Sequence, residues 1–132
     1  MRKEIREILT TEHKTYYIAD DGTEFTSQCA CEDYEYKQER DKRNIQWYAC
    51  ESIAEDEPAK IWYIRSNEEF EWLKKTEWAH TYVDGEFSNE GWYIAIFHNG
   101  GDWRDEHEVY RLDEYINYYQ KKIQEIIDLT KP

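Results

Sequence analysis

A chain of 132 residues with 30 acidic against 17 basic side chains, for a formal net charge of −13, has the length of one domain with its own core. Charged residues at 36% would suit a disordered chain, but 17% aromatics, six of them Trp and twelve Tyr, argue for a folded one. The acid also argues against direct nucleic-acid binding, which needs a basic patch, and no run of about 18 apolar residues offers a membrane span.

In chain order, Lys3 to Leu9 sets Ile5 out of phase with Glu4 and Arg6, as in a half-exposed strand. Thr15 to Ala19 reads as a second strand, Asp20-Asp21-Gly22 as a turn, and Thr23 to Phe25 as a brief continuation. Thr26 or Ser27 can cap a helix that runs to about Arg43, where Arg40, Lys42 and Arg43 suit the negative end of its dipole. Ile45 to Cys50 and Lys60 to Arg65 are the next strands, joined by the acidic Glu55-Asp56-Glu57-Pro58 segment. Ser66 and Glu69 have capping-box spacing, so a helix is expected from Glu68 to about Glu77, with Phe70 and Leu73 on one face.

A polar connection over 84–90 leads to Gly91–His98, the most apolar segment and the expected central strand. Asn99-Gly100-Gly101-Asp102 is a turn, and Glu106 to Arg111 its returning strand. Asp113 is placed to cap a last helix whose Leu112, Tyr115, Ile116, Tyr119, Ile123, Ile126 and Ile127 recur at spacings of three and four. Residues 130–132 form a fraying tail. Three times, two strands feed a helix. The expectation is a single acidic domain over residues 1–132, of α+β class: an antiparallel sheet built from strand-strand-helix units, with about three helices packed on it.

Three cysteines and no recognisable signal peptide point to reduced thiols in a cytoplasm. Cys29 and Cys31, two apart on a helix, face different sides, and Cys50 stands alone, so no zinc site is expected from them. Cys31 and Tyr34, three apart, can instead share a core face. No cofactor follows from the sequence.

One motif stands out: Asp21, Gly22, Phe25 and Ser27, followed by Cys31, Tyr34 and Glu35, in the pattern D-G-x-x-F-x-S-x-x-x-C-x-x-Y-E. It resembles a pattern in small proteins of phages and mobile elements of Gram-positive bacteria. The resemblance implies a hairpin followed by a helix, and an accessory protein of a class that includes inhibitors of host defence, anti-CRISPR proteins among them. It carries no functional residue with it.

Residues 51–108 hold 15 acids against 5 bases, so the middle of the chain makes most of the electric field. Exposed aromatics beside such acid suit a protein interface, where rings anchor and charge steers. The surface expected to bind a partner comprises Glu55, Asp56, Glu57, Glu68, Glu69, Glu71, Trp72, Asp102, Trp103, Asp105, Glu106 and Glu108, with Tyr118 and Trp78 as further off-stripe aromatics. Trp47, Trp62, Tyr63, Trp92 and Phe97 are expected in the core. The partner expected is a host nucleic-acid-handling protein with a basic groove, a CRISPR or restriction nuclease, which dense carboxylates would occupy as a nucleic-acid mimic. No G-x-S-x-G, P-loop or H-E-x-x-H pattern is present, and the expectation is a binding protein rather than an enzyme. The alternative is a metal-dependent enzyme or module centred on His98, Asp102 and His107. A dimeric phage structural or accessory protein is a further alternative.

Overall fold

The computed structural model describes residues 1–8 and 12–131, in the order β1 (Arg2–Ile8), β2 (Glu12–Ile18), β3 (Glu24–Phe25), α1 (Gln28–Arg43), β4 (Trp47–Glu51), β5 (Pro58–Ile64), α2 (Asn67–Lys75), β6 (Tyr82–Asp84), β7 (Gly91–His98), β8 (Glu106–Arg111) and α3 (Leu112–Leu129). The expected α+β class with three helices holds among the described residues, as does the strand-strand-helix rhythm. There are two sheets, of orders β1-β2-β3 and β4-β5-β7-β8-β6. Leu9, the expected end of the first strand, and the terminal Pro132 lie outside the described residues. The chain divides into two compact units, Met1–Asn44 and Ile45–Pro132.

In the first unit the motif residues hold one another. Gly22 sits at φ 93, a left-handed conformation that a side chain would strain. The Asp21 carboxylate accepts from the Thr23 N–H at 2.9 Å and from the Tyr34 hydroxyl, and these bonds hold its pKa below the ordinary carboxylate range. Phe25 packs on Tyr34 with ring centroids 5.2 Å apart. Ser27 caps α1 by accepting from the Ala30 N–H, Glu35 accepts from the Asp20 N–H at 3.1 Å, and Cys31 is fully buried. Cys29 is exposed, on a different side from Cys31 as its spacing requires. α1 closes on Asn44 in the left-handed region, with Arg40, Lys42 and Arg43 in its last turn.

In the second unit, β7 explains the architecture. Its two side-chain sets both find partners. Tyr93 and Ala95 join Trp62, Ile64, Phe70, Leu73, Trp78 and Val109 in one core, against α2. Ile94 and Ile96 join Ala59 and Tyr115 in a second, against α3. A strand covered on both faces reads as a continuous apolar run rather than an alternating one.

Several local expectations are corrected. α2 ends at Lys75, not Glu77; the following turn carries Trp78 back to the core, its N–H donating to the Leu73 carbonyl at 2.9 Å, so Trp78 is only 2% exposed. Extrapolating the helix beyond its end is what made Trp78 look off-stripe. Trp47 is 48% exposed because β4 is an edge strand with neither face covered. Asp113 is not the cap of α3: Arg111 stands there, and Asp113 lies in the first turn, paired with Arg111 at 3.3 Å. β6, too short to show in the pattern, adds a parallel edge beside β8. No helix of the described residues is long and apolar enough to cross a membrane.

Candidate binding site on the α3 face

Strand register brings together residues that are distant in sequence. β5 and β7 pair with Ala59 opposite Ile96. One step further along the same register, Glu57 comes opposite His98, on the face that carries Ile94 and Ile96. β7 and β8 pair with Ile96 opposite Glu108 and His98 opposite Glu106. His98 thus sits where the β4–β5 loop and the β7–β8 hairpin meet.

The β4–β5 loop is pinned. Ser52, buried, donates its N–H to the Glu57 carbonyl at 2.8 Å, and its hydroxyl accepts from the Glu57 N–H at 3.0 Å. The Ile53 N–H donates to the Tyr115 hydroxyl at 2.8 Å, tying the loop to α3. Asp56 takes the left-handed conformation, φ 51, that the tight loop needs. Glu55 and Glu57 are therefore presented by a stapled backbone.

Around His98 the charges form a chain. Its Nδ1 meets a Glu57 carboxylate oxygen, and its Nε2 lies 3.2 Å from Glu108 Oε1. Glu108 accepts a hydrogen bond from the Tyr110 hydroxyl through its other oxygen. One donor atom each from Glu55, Glu57 and His98 lie within 4.8 Å of one another. The neighbouring Glu55 carboxyl and burial push the pKa of Glu57 up, with His98 opposing. Burial and the Glu108 carboxylate push the Tyr110 phenol up as well, which keeps it a hydrogen-bond donor at neutral pH.

Glu55, His98 and Glu108 of this group form one wall of a cavity of about 410 Å3. Tyr110, Tyr115, Tyr118 and Tyr119 supply its aromatic lining, with Glu55, Glu108 and Glu114 at its polar side. Tyr115 is the fixed post: it is 7% exposed, stacks on Tyr110 at 6.0 Å and meets Tyr119 edge-on at 4.9 Å. Tyr118, 56% exposed, stands edge-on to Tyr119 at 5.2 Å. Rings with negative faces, next to carboxylates, form a site for a positive group.

Of the residues expected to face a partner, Glu55, Glu57 and Glu108 come together here, and Glu106 lies beside His98 across the ladder. Asp102 and Trp103 lie at the exposed hairpin tip, Trp103 at 86% exposure. Asp105 accepts from the Gly100 N–H at 2.9 Å and shapes that turn. Glu68, Glu69, Glu71 and Trp72 belong to α2, which follows the opposite end of β5 and covers the other face of the sheet. Glu69 is corrected outright: it is 4% exposed and bonded to Arg65, so it faces no partner. Trp72 packs against the α2-side core, and Glu71 pairs with Lys74 at 3.6 Å.

His107 and Asp102 do not join His98. His107 points to the α2 face, between the rings of Trp78 and Phe97. Sequence reading missed Tyr110, Tyr115, Tyr119 and Glu114 as site residues. The spacing of Tyr115, Tyr118 and Tyr119 on one helix was the available signal, but core packing explains it equally well without the strand register. No protein-family model matches the sequence, and no curated protein or solved structure matches it.

Proposed function

We propose that the protein is a binding protein, not an enzyme, and that its tyrosine-lined pocket seats a lysine or arginine side chain of a basic protein partner. The observation that carries this reading is the meeting of four tyrosines with Glu55, Glu108 and Glu114 around one cavity, on a chain of net charge −13. A cation over such rings gains about 0.5–1 kcal/mol when exposed and about 2 when desolvated. The surrounding acid speeds encounter with a basic surface more than it tightens the final complex.

The partner class follows from charge and from the motif of residues 21–35. A protein that handles nucleic acid carries the basic groove this acid would fill, and the resemblance to phage and mobile-element proteins directs the choice to a CRISPR or restriction nuclease of the host. The pocket then holds one anchor side chain while Glu55, Asp56, Glu106 and Asp102 stand toward the groove in place of phosphates. Glu69 has no part in this contact.

The test is retention of a panel of purified CRISPR effectors and restriction nucleases on the immobilised protein. At least one is expected to be retained, released by rising salt, and displaced by its own DNA or RNA. Glu55→Lys, Glu114→Lys and Tyr118→Ala, all at exposed positions, should each weaken retention without lowering stability. A panel that is never retained, or retention indifferent to all three substitutions, would overturn the reading.

A further inference from the structure

We propose that Glu55, Glu57 and His98 form a binding site for one divalent transition-metal ion of the zinc class, with Glu108 as the group that orients the histidine. This goes beyond capture of a partner and does not rest on it.

Three observations support the assignment. The donor atoms already gather: one each from Glu55, Glu57 and His98 lie within 4.8 Å of one another, and small side-chain rotations close that spread to the roughly 3.3 Å between ligands of one tetrahedral ion. One imidazole nitrogen with two carboxylates is a donor set suited to zinc and its neighbours, whereas magnesium and calcium favour all-oxygen sites. Second, the two ring nitrogens have different neighbours. Nδ1 meets Glu57, while Nε2 faces Glu108 Oε1 at 3.2 Å. An ion on Nδ1 fixes the remaining proton on Nε2, facing a carboxylate, which is the arrangement that orients metal-bound histidines. Glu108 is held in turn by the Tyr110 hydroxyl.

Third, Glu57 Oε2 is buried against His98 Nδ1 without an aligned hydrogen bond. Buried polar atoms are nearly always satisfied, so an unmet carboxylate oxygen beside the ring nitrogen that the ion would take points to a bound group. An imidazolium offers a single positive charge against the carboxylates of Glu55, Glu57 and Glu108. A divalent ion answers more of that charge. The loop that presents the ligands is stapled at Ser52 and at Tyr115, so little ordering is required on binding.

The experiment is isothermal titration of the chelator-stripped full chain with zinc chloride, no partner being present, together with cobalt substitution read by visible absorption. One equivalent is expected, with a cobalt spectrum of nitrogen and oxygen donors. His98→Gln and Glu57→Gln should abolish binding. Glu55→Gln, at an exposed position that the fold does not use, should weaken it by at least tenfold, and Glu108→Gln by about 10- to 100-fold. Glu125→Gln, at an exposed position on α3 outside the cluster, should leave the affinity unchanged. Lack of binding by the unaltered chain, or binding that persists in both His98→Gln and Glu55→Gln, would overturn the site. Because the titration contains no protein partner, either result leaves the pocket's capture of a basic side chain to be decided by its own test.

Discussion

His98 and His107 flank the same hairpin, nine residues apart, yet they inhabit opposite chemistry. His98 looks to the α3 face, among Glu55, Glu57 and Glu108. His107 looks to the α2 face, where its ring lies 6.2 Å from Trp78 and 5.3 Å from Phe97. Its Nδ1 is 2.9 Å from the Thr81 hydroxyl, and that hydroxyl donates its only proton to the Trp78 carbonyl. The bond is therefore made by a proton on Nδ1. Burial, aided by the nearby Lys60 and His98, holds the His107 pKa below its ordinary value. One histidine is surrounded by negative charge and the other is kept neutral by desolvation. The pleat alone separates them, because alternate residues of a strand face opposite sides. Both faces of the second unit carry a core, but the α3 face also opens a charged pocket beside its core.

The strongest way to break that division is to cut into the α2 face. Trp78 is 2% exposed and meets Phe70 edge-on at 5.3 Å. Trp78→Ala should cost about 3–5 kcal/mol, a large part of a domain's stability. All six tryptophans lie beyond residue 44, so the fluorescence of the remaining five during urea unfolding reports the second unit alone. A loss no larger than that of an exposed substitution would show that the α2 face does not carry the fold.

The boundary between the faces can be sharpened at Tyr115. Its hydroxyl accepts from the Ile53 N–H, so Tyr115→Phe leaves that donor without its partner at a cost of about 1–2 kcal/mol. The ring remains and the pocket keeps its shape, but the loop bearing Glu55 and Glu57 loses a staple. Urea unfolding should show the modest stability loss, and zinc titration a weaker site. Unchanged values in both measurements would remove Tyr115 from the positioning of that loop.

How much of this was legible depends on how local each contact is. The motif of residues 21–35 folds onto itself, and its turn, cap and buried Cys31 follow from neighbours within about fifteen positions. β7 announced its central place through apolar residues at every position from Trp92 to Phe97, which only a strand covered on both faces uses. The contact of Glu57 with His98 spans 41 positions and depends on which residue of β5 faces which residue of β7. Nothing in either segment states that register. Grouping His98 with Asp102 and His107 by closeness in sequence failed for the same reason: proximity along a hairpin does not say which face a side chain takes. Trp78 failed through a helix boundary two residues too late, and Glu69 through a capping-box spacing whose acidic side chain turns to Arg65.

The smallest expected effect tests the neutral histidine itself. A histidine whose pKa is lowered on folding binds its proton more tightly in the unfolded chain. Stability then rises with pH. The contribution is complete above the unfolded value near 6.5 and is lost as pH falls from there toward the lower folded value. Glu57, with its pKa raised, acts in the opposite sense, so the pH profile of the unaltered chain mixes the two. The difference between that chain and His107→Asn isolates the histidine. Asparagine can place an N–H near the Nδ1 position and keep the bond to Thr81, but it does not titrate. Urea unfolding of both chains from pH 7.5 downward should give curves that run parallel above about 6.5 and diverge below, the unaltered chain losing stability faster. Parallel curves throughout would mean that His107 charges as readily folded as unfolded, and that the α2 face is wetter around this ring than its packing against Trp78 and Phe97 implies.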